Sequence, residues 1–357
     1  MSEQAQHAAQ AAIPAVGKKQ RQVSMVLDLN KCLGCHTCSI ACKKMWNTDA
    51  GTDYAYWNSV ETMPGKGYPA NYPEIGGRTD KGEVKRGKIP SLDTGYGRAW
   101  TFNHKEALAS TGQPVKVWIK PKEEVKWGPN FDEDEGQGHY PQDNHYFYLP
   151  RLCNHCTHPA CKDACPRGAI EKREQDGIVL VNQDKCHGYR FCVEACPYKK
   201  VYFDHVRQVS AKCIFCMPRI EEGVAPACAR QCPGRLRFVG YRDDQDGPIW
   251  KLVEKYKVAV PLHAEWGLGP NVFYIPPMSP PKMDAKGRPL DEPRIPLAYL
   301  ESLFGPRVKE ILDTLHAERE KKKRGEKSEL MDLLIAFNWN DNFKLEPQHR
   351  EVFTDRG

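Results

Sequence analysis

All fifteen cysteines of this 357-residue chain fall into four short groups, and that grouping constrains the fold more than any other feature. Cys32, Cys35, Cys38 and Cys42 form the first group and read CxxCxxCxxxC. The second is Cys153, Cys156, Cys161 and Cys165, and the fourth is Cys213, Cys216, Cys228 and Cys232. The third keeps the spacing of the first but reads Cys186, Tyr189, Cys192 and Cys196, with a phenol at its second position. Four groups of four positions, less Tyr189, use every cysteine in the chain. Thiolates at this spacing hold iron-sulfur clusters, and a phenol is a poor partner for an iron that favours soft sulfur.

Two other uses of cysteine fit less well. Disulfides pair cysteines two by two, and a chain of this length needs no staples to hold a core. Closed zinc sites need four ligands each, which the third group lacks, and CxxCxxCxxxC is not a zinc-ribbon spacing. In bacterial two-cluster ferredoxins the fourth cysteine of a run, often followed by proline, ligates the other cluster. Here Cys165, Cys196 and Cys232 each precede proline, whereas Cys42 precedes Lys43. Groups that exchange their fourth cysteine interlock in pairs. The expected fold is therefore α+β, with two interlocked bacterial-ferredoxin-like modules, a long insertion and an extended C-terminal arm.

Along the chain this reads as an N-terminal extension (1–22), a first module split between 23–46 and 207–245, an insertion (47–150), a second module (151–206) and a docking arm with a helix (246–357). A weak repeat, Val26-Leu27-Asp28-Leu29-Asn30-Lys31-Cys32 against Val179-Leu180-Val181-Asn182-Gln183-Asp184-Lys185-Cys186, reads twice as a strand entering a cluster loop. Asp176-Gly177 marks a hairpin within 169–181, and helical turns are expected after Cys38, Cys161 and Cys192. The insertion, rich in Gly, Pro, Tyr and Trp, is too long for an idle loop and is expected to contact a partner. Prolines between Ile275 and Pro296 exclude helix and central strand there. Beyond them, 306–323 reads as an amphipathic helix with Val308, Ile311, Leu312 and Leu315 on one side, docking on a partner or on its own core.

The formal charge of +6 suggests nucleic acid or an anionic surface as partner. Fifteen thiolates outweigh that excess, and the cluster cores return the total to near neutrality. No nucleic-acid partner is therefore expected. Arg167, Arg190, Lys199, Lys200, Arg230 and Arg235 sit beside ligands, where cations favour the reduced state. His36, His155, His158 and His187 also lie beside cysteines but are expected to be packing or surface residues. Gly95 and Gly97 neither follow a strand nor open a helix, so no nucleotide site is expected. Mean hydropathy is −0.65, no stretch approaches the roughly 20 apolar residues of a membrane span, and the first 22 residues carry neither an apolar core nor twin arginines. Any export is expected to use a partner's signal.

The four-group layout, the run Cys186-His187-Gly188-Tyr189-Arg190-Phe191-Cys192, and Lys212-Cys213-Ile214-Phe215-Cys216 through Arg219-Ile220-Glu221 resemble the electron-transfer β subunits of molybdenum enzymes of the dimethyl sulfoxide reductase family. The branch includes ethylbenzene dehydrogenase, dimethylsulfide dehydrogenase, selenate reductase and respiratory nitrate reductase. The likeness is firm over residues 22–245 and looser beyond. Nitrate reductase β subunits carry tryptophan where this chain has Tyr189 and a longer C-terminal region, so the dehydrogenase and selenate reductase side fits better.

The resemblance implies three 4Fe-4S clusters, held by Cys32, Cys35, Cys38 and Cys232, by Cys42, Cys213, Cys216 and Cys228, and by Cys153, Cys156, Cys161 and Cys196. It implies one 3Fe-4S cluster on Cys165, Cys186 and Cys192, with Tyr189 at the position that supplies no ligand. A molybdenum-cofactor α subunit and a haem b γ subunit are the implied partners, with no catalytic residue in this chain. An ethylbenzene-dehydrogenase-like complex is the leading expectation. A selenate, nitrate or chlorate reductase, with electrons flowing toward molybdenum, or a free-standing polyferredoxin are the alternatives. A periplasmic location by co-export with the α subunit is expected, with the cytoplasmic face of the membrane as the alternative.

Overall fold

A computed structural model describes residues 21–47, 50–77, 85–97 and 137–348. Part of the expected insertion, including 98–136, lies outside the described residues, as do the first 20 positions.

Strand β1 (Val23–Asp28) is buried at all six positions. A strand covered on both faces reads as an apolar run rather than an alternation, and Met25-Val26-Leu27 does so, with Ser24 and Asp28 as buried polar residues. It lies at the centre of a five-stranded sheet. On one side it pairs antiparallel with β8 (Arg237–Tyr241), Met25 opposite Val239. On the other it pairs parallel with β10 (Val272–Ile275), Met25 opposite Val272. Two-residue strands β9 (Val260–Pro261) and β13 (Phe343–Lys344) form the edges.

Four short strands make two hairpins around the cysteine loops. β4 (Ile170–Lys172) and β5 (Val179–Val181) pair antiparallel across the Asp176-Gly177 turn, as the sequence indicates. β6 (Val201–Asp204) and β7 (Val209–Lys212) pair next, and β7 runs directly into Cys213. Helices follow the loops: α1 (Thr37–Trp46), α2 (Ala160–Asp163), α3 (Phe191–Ala195), α4 (Met217–Glu221) and α5 (Ala227–Arg230). Helix and sheet thus mix as an α+β fold.

Flanking parts of the 47–150 insertion lie against this chain's own core. β2 (Asn58–Met63) pairs antiparallel with β3 (Phe147–Leu152). Tyr54, Tyr68 and Tyr96 gather edge to face with centroids 4.8–5.2 Å apart, and Tyr202 sits 5.5 Å from Tyr96. Such aromatic pairs prefer tilted or T-shaped contact. β2 is buried throughout although it reads Asn-Ser-Val-Glu-Thr-Met. Asn58, Ser59 and Glu61 are engaged in hydrogen bonds described below.

The tail differs from the arm the sequence suggests. Ile249, Leu252, Val253 and the whole of β10 sit in the main core. Helices α6 (Leu297–Phe304), α7 (Val308–Lys323) and α8 (Glu329–Ile335) pack there too, through Leu300, Phe304, Val308, Ile311, Leu315 and Leu330. The expected helix is present one residue pair later than Pro306, and it docks on its own chain. Ile295 returns to the core, while residues 279–294 stay peripheral. There β11 (Pro281–Met283) and β12 (Pro289–Pro293) form an exposed hairpin, closed by Asp284 accepting from the Lys286 and Arg288 amides at 2.8 Å. The prolines keep helix and central strand out of this stretch, and an isolated exposed pair is compatible with them because it needs few ladder bonds. Among the described residues no helix is long and apolar enough to cross a membrane.

Candidate iron-sulfur centres

Four cysteine loops share one backbone device. The residue two after the first cysteine is left-handed in each: Gly34 (φ 65°), His155 (42°), Gly188 (68°) and Phe215 (52°). A left-handed residue reverses the chain and turns loop amides toward the preceding sulfur, as in the Phe215 N–H donating to Cys213 Sγ at 3.3 Å. Glycine takes this conformation without strain, and here it is also needed for space. A Cβ at Gly34 would lie 2.5 Å from the Tyr148 ring, and one at Gly188 2.3 Å from the Gln208 carbonyl. His155 and Phe215 accept the strain and pack edge to face with each other, 5.1 Å apart.

A second left-handed residue opens the helix after the first and third loops: His36 (φ 55°) follows Cys35, and Arg190 (62°) follows Tyr189. Tyr189 therefore occupies in its loop the place that Cys35 occupies in the first. Cys35 is exposed, and Tyr189 is 53% exposed, its ring tilted between His187 and Phe191 at 5.9 and 6.2 Å.

The cysteines meet across the groups. Cys42 from the first group lines a cavity of about 220 Å³ with Cys213, Cys216 and Cys228 from the fourth, walled by Trp46, Trp57 and Phe215. Cys196 from the third joins Cys153, Cys156 and Cys161 from the second around a narrower cavity of about 20 Å³. A third cavity of similar size is lined by Cys165, Cys186, Cys192 and Tyr189. Cys32, Cys38 and Cys232 face one another beside Arg237. All fifteen cysteines are free thiols.

Burial, and then neighbouring thiols, raise several of these groups. The thiols of Cys32 and Cys228 are pushed up to about 12 and that of Cys192 to about 11, while Cys42, Cys156 and Cys161 rise well above the ordinary range. Crowded thiols suit a cationic core that takes over their negative charge on binding. Among the described residues no three His, Cys, Asp or Glu side chains close on a single metal-ion position. The donors surround a volume instead, as a multi-iron core requires and a closed zinc site does not.

Hydrogen bonds reach several sulfurs. Trp46 Nε1 donates to Cys216 Sγ at 3.0 Å and Asn58 Nδ2 to Cys38 Sγ at 3.2 Å. The Ser210 and Ala169 amides donate to Cys186 and Cys165 at 3.3 and 3.4 Å. Such donors favour the more negative, reduced state of a bound cluster. Neither Trp46 nor Asn58 was legible as a site residue, because each is distant in sequence from the sulfur it serves.

The cations flagged beside cysteines divide in two. Arg167, Arg190, Arg230 and Arg235 are exposed, the last anchored to the Ala336 and Phe337 carbonyls at 3.0 and 2.8 Å. Lys199 and Lys200 are buried, and burial lowers both ammonium groups, that of Lys200 to about 7. Lys200 donates to Ser59 Oγ at 2.7 Å and lies 3.8 Å from Glu61. Glu61 in turn accepts from Arg151 Nε at 2.7 Å. Among the flagged histidines, His158 and His187 are exposed. His155 is fully buried and its Nδ1 accepts from the Val179 amide at 3.0 Å, a packing role.

Residues 144–242 match the family of 4Fe-4S dicluster domains. Across 91% of the chain it is 55% identical to the dimethylsulfide dehydrogenase β subunit of Rhodovulum sulfidophilum and 54% identical to the selenate reductase β subunit of Thauera selenatis, covering 99% of each. The respiratory nitrate reductase β subunit of Haloferax mediterranei is likewise 55% identical, over 91% of this chain and 94% of that one.

Proposed function

The chain belongs to the iron-sulfur β subunits that serve molybdenum enzymes of the dimethyl sulfoxide reductase family, and from that premise we propose that it carries three 4Fe-4S clusters and one 3Fe-4S cluster as a relay between a molybdenum-containing α subunit and a haem b γ subunit. It is a non-catalytic electron-transfer subunit. The ligand sets proposed are Cys32, Cys35, Cys38 and Cys232; Cys42, Cys213, Cys216 and Cys228; Cys153, Cys156, Cys161 and Cys196; and, for the 3Fe-4S cluster, Cys165, Cys186 and Cys192. One observation carries the last assignment. Tyr189 takes the exposed place of Cys35 in a loop of the same turn, beside a cavity that holds only three thiols.

When bound, the clusters supply one-electron storage at closely spaced centres. The chain's own residues do the rest. Cysteines fix the positions, Trp46, Asn58 and the loop amides donate to sulfur, and Trp57, Phe215 and Tyr198 keep water away. Burial of that kind is one of the terms that set a cluster's potential.

Two reductases at 54 and 55% identity favour the reductase alternative, with electrons flowing toward molybdenum, over the ethylbenzene-dehydrogenase-like reading. The nitrate reductase β subunit is as similar as the dehydrogenase one, so identity does not follow the separation that Tyr189 suggested. Coverage of whole β subunits, insertion and tail included, supports a built-in subunit rather than a free polyferredoxin. The test is to isolate the chain with its α subunit, reduce it with a dye, and add selenate, nitrate or chlorate. Bleached visible absorbance should return with one of these oxyanions, and only with the α subunit bound. Return without that subunit contradicts the relay. Export in the folded state on the α subunit's signal is proposed as well. Cell fractionation should then find the chain in the periplasm, and retention in the cytoplasm when that signal is disabled.

A further inference from the structure

Arg237 opens β8, opposite Leu27 of the central strand, and is 1% exposed. A buried guanidinium needs a counter-charge, because an isolated ion is expelled from a low-dielectric interior. Two other buried guanidinium groups have one, Arg151 in Glu61 and Arg242 in Glu254, both at 2.7 Å. Arg237 has none: among the described residues no carboxylate pairs with it. Its Nη2 donates to Asn58 Oδ1 at 2.8 Å and its Nη1 approaches Met25 Sδ at 3.5 Å, while Nε has no partner. The negative groups it faces are sulfurs, those of Cys38, Cys228, Cys232 and Cys32. Asn58 completes a bridge, since the amide that accepts from Arg237 donates through Nδ2 to Cys38 Sγ at 3.2 Å.

We propose that Arg237 is the built-in counter-ion of the cluster bound by Cys32, Cys35, Cys38 and Cys232, a positioning residue that raises this cluster's reduction potential and, more weakly, that of its neighbour on Cys42, Cys213, Cys216 and Cys228. The inference rests on the ligand sets proposed above. Three of the sulfurs that Arg237 faces belong to the first set and one, Cys228, to the second, which fixes the order of the effect. Reduction adds one negative charge to a cluster, and a fixed cation beside it stabilises that charge. The attraction is large because the protein interior screens far less than water. Arg237 serves no carboxylate, so its charge is not spent elsewhere.

The experiment is a redox titration of the intact complex, followed by electron spin resonance, with iron analysis alongside. Arg237→Gln should keep its iron and lower the reduced-to-oxidised ratio of the first cluster at least tenfold at a fixed potential, about 59 mV for one electron. A smaller drop is expected at the second cluster and none at the cluster beside Tyr189. Arg237→Lys, which keeps the charge, should stay near the parent. Full iron with unchanged ratios in Arg237→Gln overturns the proposal. Loss of iron in Arg237→Gln but not in Arg237→Lys supports it, because charge is then what the site requires. If both lose iron, Asn58→Asp sets a carboxylate against the guanidinium, and an unshifted first cluster in that variant overturns the proposal. A parent protein whose iron does not match the four sets would instead refute the ligand assignment, before Arg237 enters.

Discussion

Replacing Arg151 by methionine removes the keystone of a buried ionic network. Glu61 is fully buried on β2, and its carboxylate accepts from Arg151 Nε and Ser59 Oγ, both at 2.7 Å, with Lys200 3.8 Å away. Arg151, on β3, also donates to the Tyr68 and Tyr198 carbonyls at 2.8 and 3.1 Å and stacks over the Tyr72 ring, 3.4 Å from its centroid. The network thus pins the insertion to the second module. Removing one partner of a buried pair costs about 3–5 kcal/mol, and each carbonyl left without a donor adds roughly 1 kcal/mol. Lys200 remains as a partial counter-ion and the methionine stem retains contact with Tyr72, so about 4 kcal/mol is expected overall. At about 2 °C per kcal/mol for a large domain, the melting midpoint should fall by about 8 °C. Thermal scans of the cluster-loaded protein, read by tryptophan fluorescence and visible absorbance, measure this. Glu61→Gln/Arg151→Met should recover at least half of the loss, because the amide leaves no buried carboxylate without its guanidinium, and burial lowers Lys200 to about 7, so that it can shed its proton. A midpoint within about 2 °C of the parent for Arg151→Met, or no recovery in the double variant, refutes the reasoning. Cluster potentials should not move, since the Arg151 charge is already neutralised by Glu61.

Trp46→Phe keeps the packing but deletes the 3.0 Å hydrogen bond to Cys216 Sγ. The cluster on Cys42, Cys213, Cys216 and Cys228 should become harder to reduce in a redox titration, and an unchanged midpoint rules out that role. Tyr189→Cys restores a fourth thiol, so iron analysis should gain about one atom per chain and the converted cluster should titrate at lower potential. An unchanged iron count means that position 189 does not decide cluster type. Ile311→Ala hollows the buried side of α7, where Ile311 is 1% exposed, and should cost about 2–4 kcal/mol in thermal unfolding. Lys309→Ala on the exposed side should change stability little, and equal losses would mean that α7 is not seated as described.

Where local chemistry decides the structure, the sequence was readable. Thiolate spacing placed the four loops, Asp176-Gly177 placed the β4–β5 hairpin, and Pro306 with the spacing of Val308, Ile311 and Leu315 placed α7. The five-stranded sheet was not readable. Its parallel pairing of β1 with β10 joins segments from opposite ends of the chain, and Val272–Ile275 is too short a run, next to Pro276, to announce a central strand. β2 hid for another reason. Asn58, Ser59 and Glu61 look like surface residues, yet they are buried because Arg237, Lys200 and Arg151 satisfy them. At the site, the cations beside cysteines in sequence are mostly exposed, while Arg237, the cation that faces the sulfurs, sits five residues after Cys232 on a strand. Through-space contact, not adjacency in sequence, selects it.

The relay reading turns on Tyr189 and its three neighbouring thiols, and low-temperature electron spin resonance of the oxidised, as-isolated protein tests it most directly. A signal from an oxidised 3Fe-4S cluster, together with about fifteen iron atoms per chain, is the expected result. A silent oxidised spectrum with about sixteen iron atoms would mean four cubanes and would contradict it.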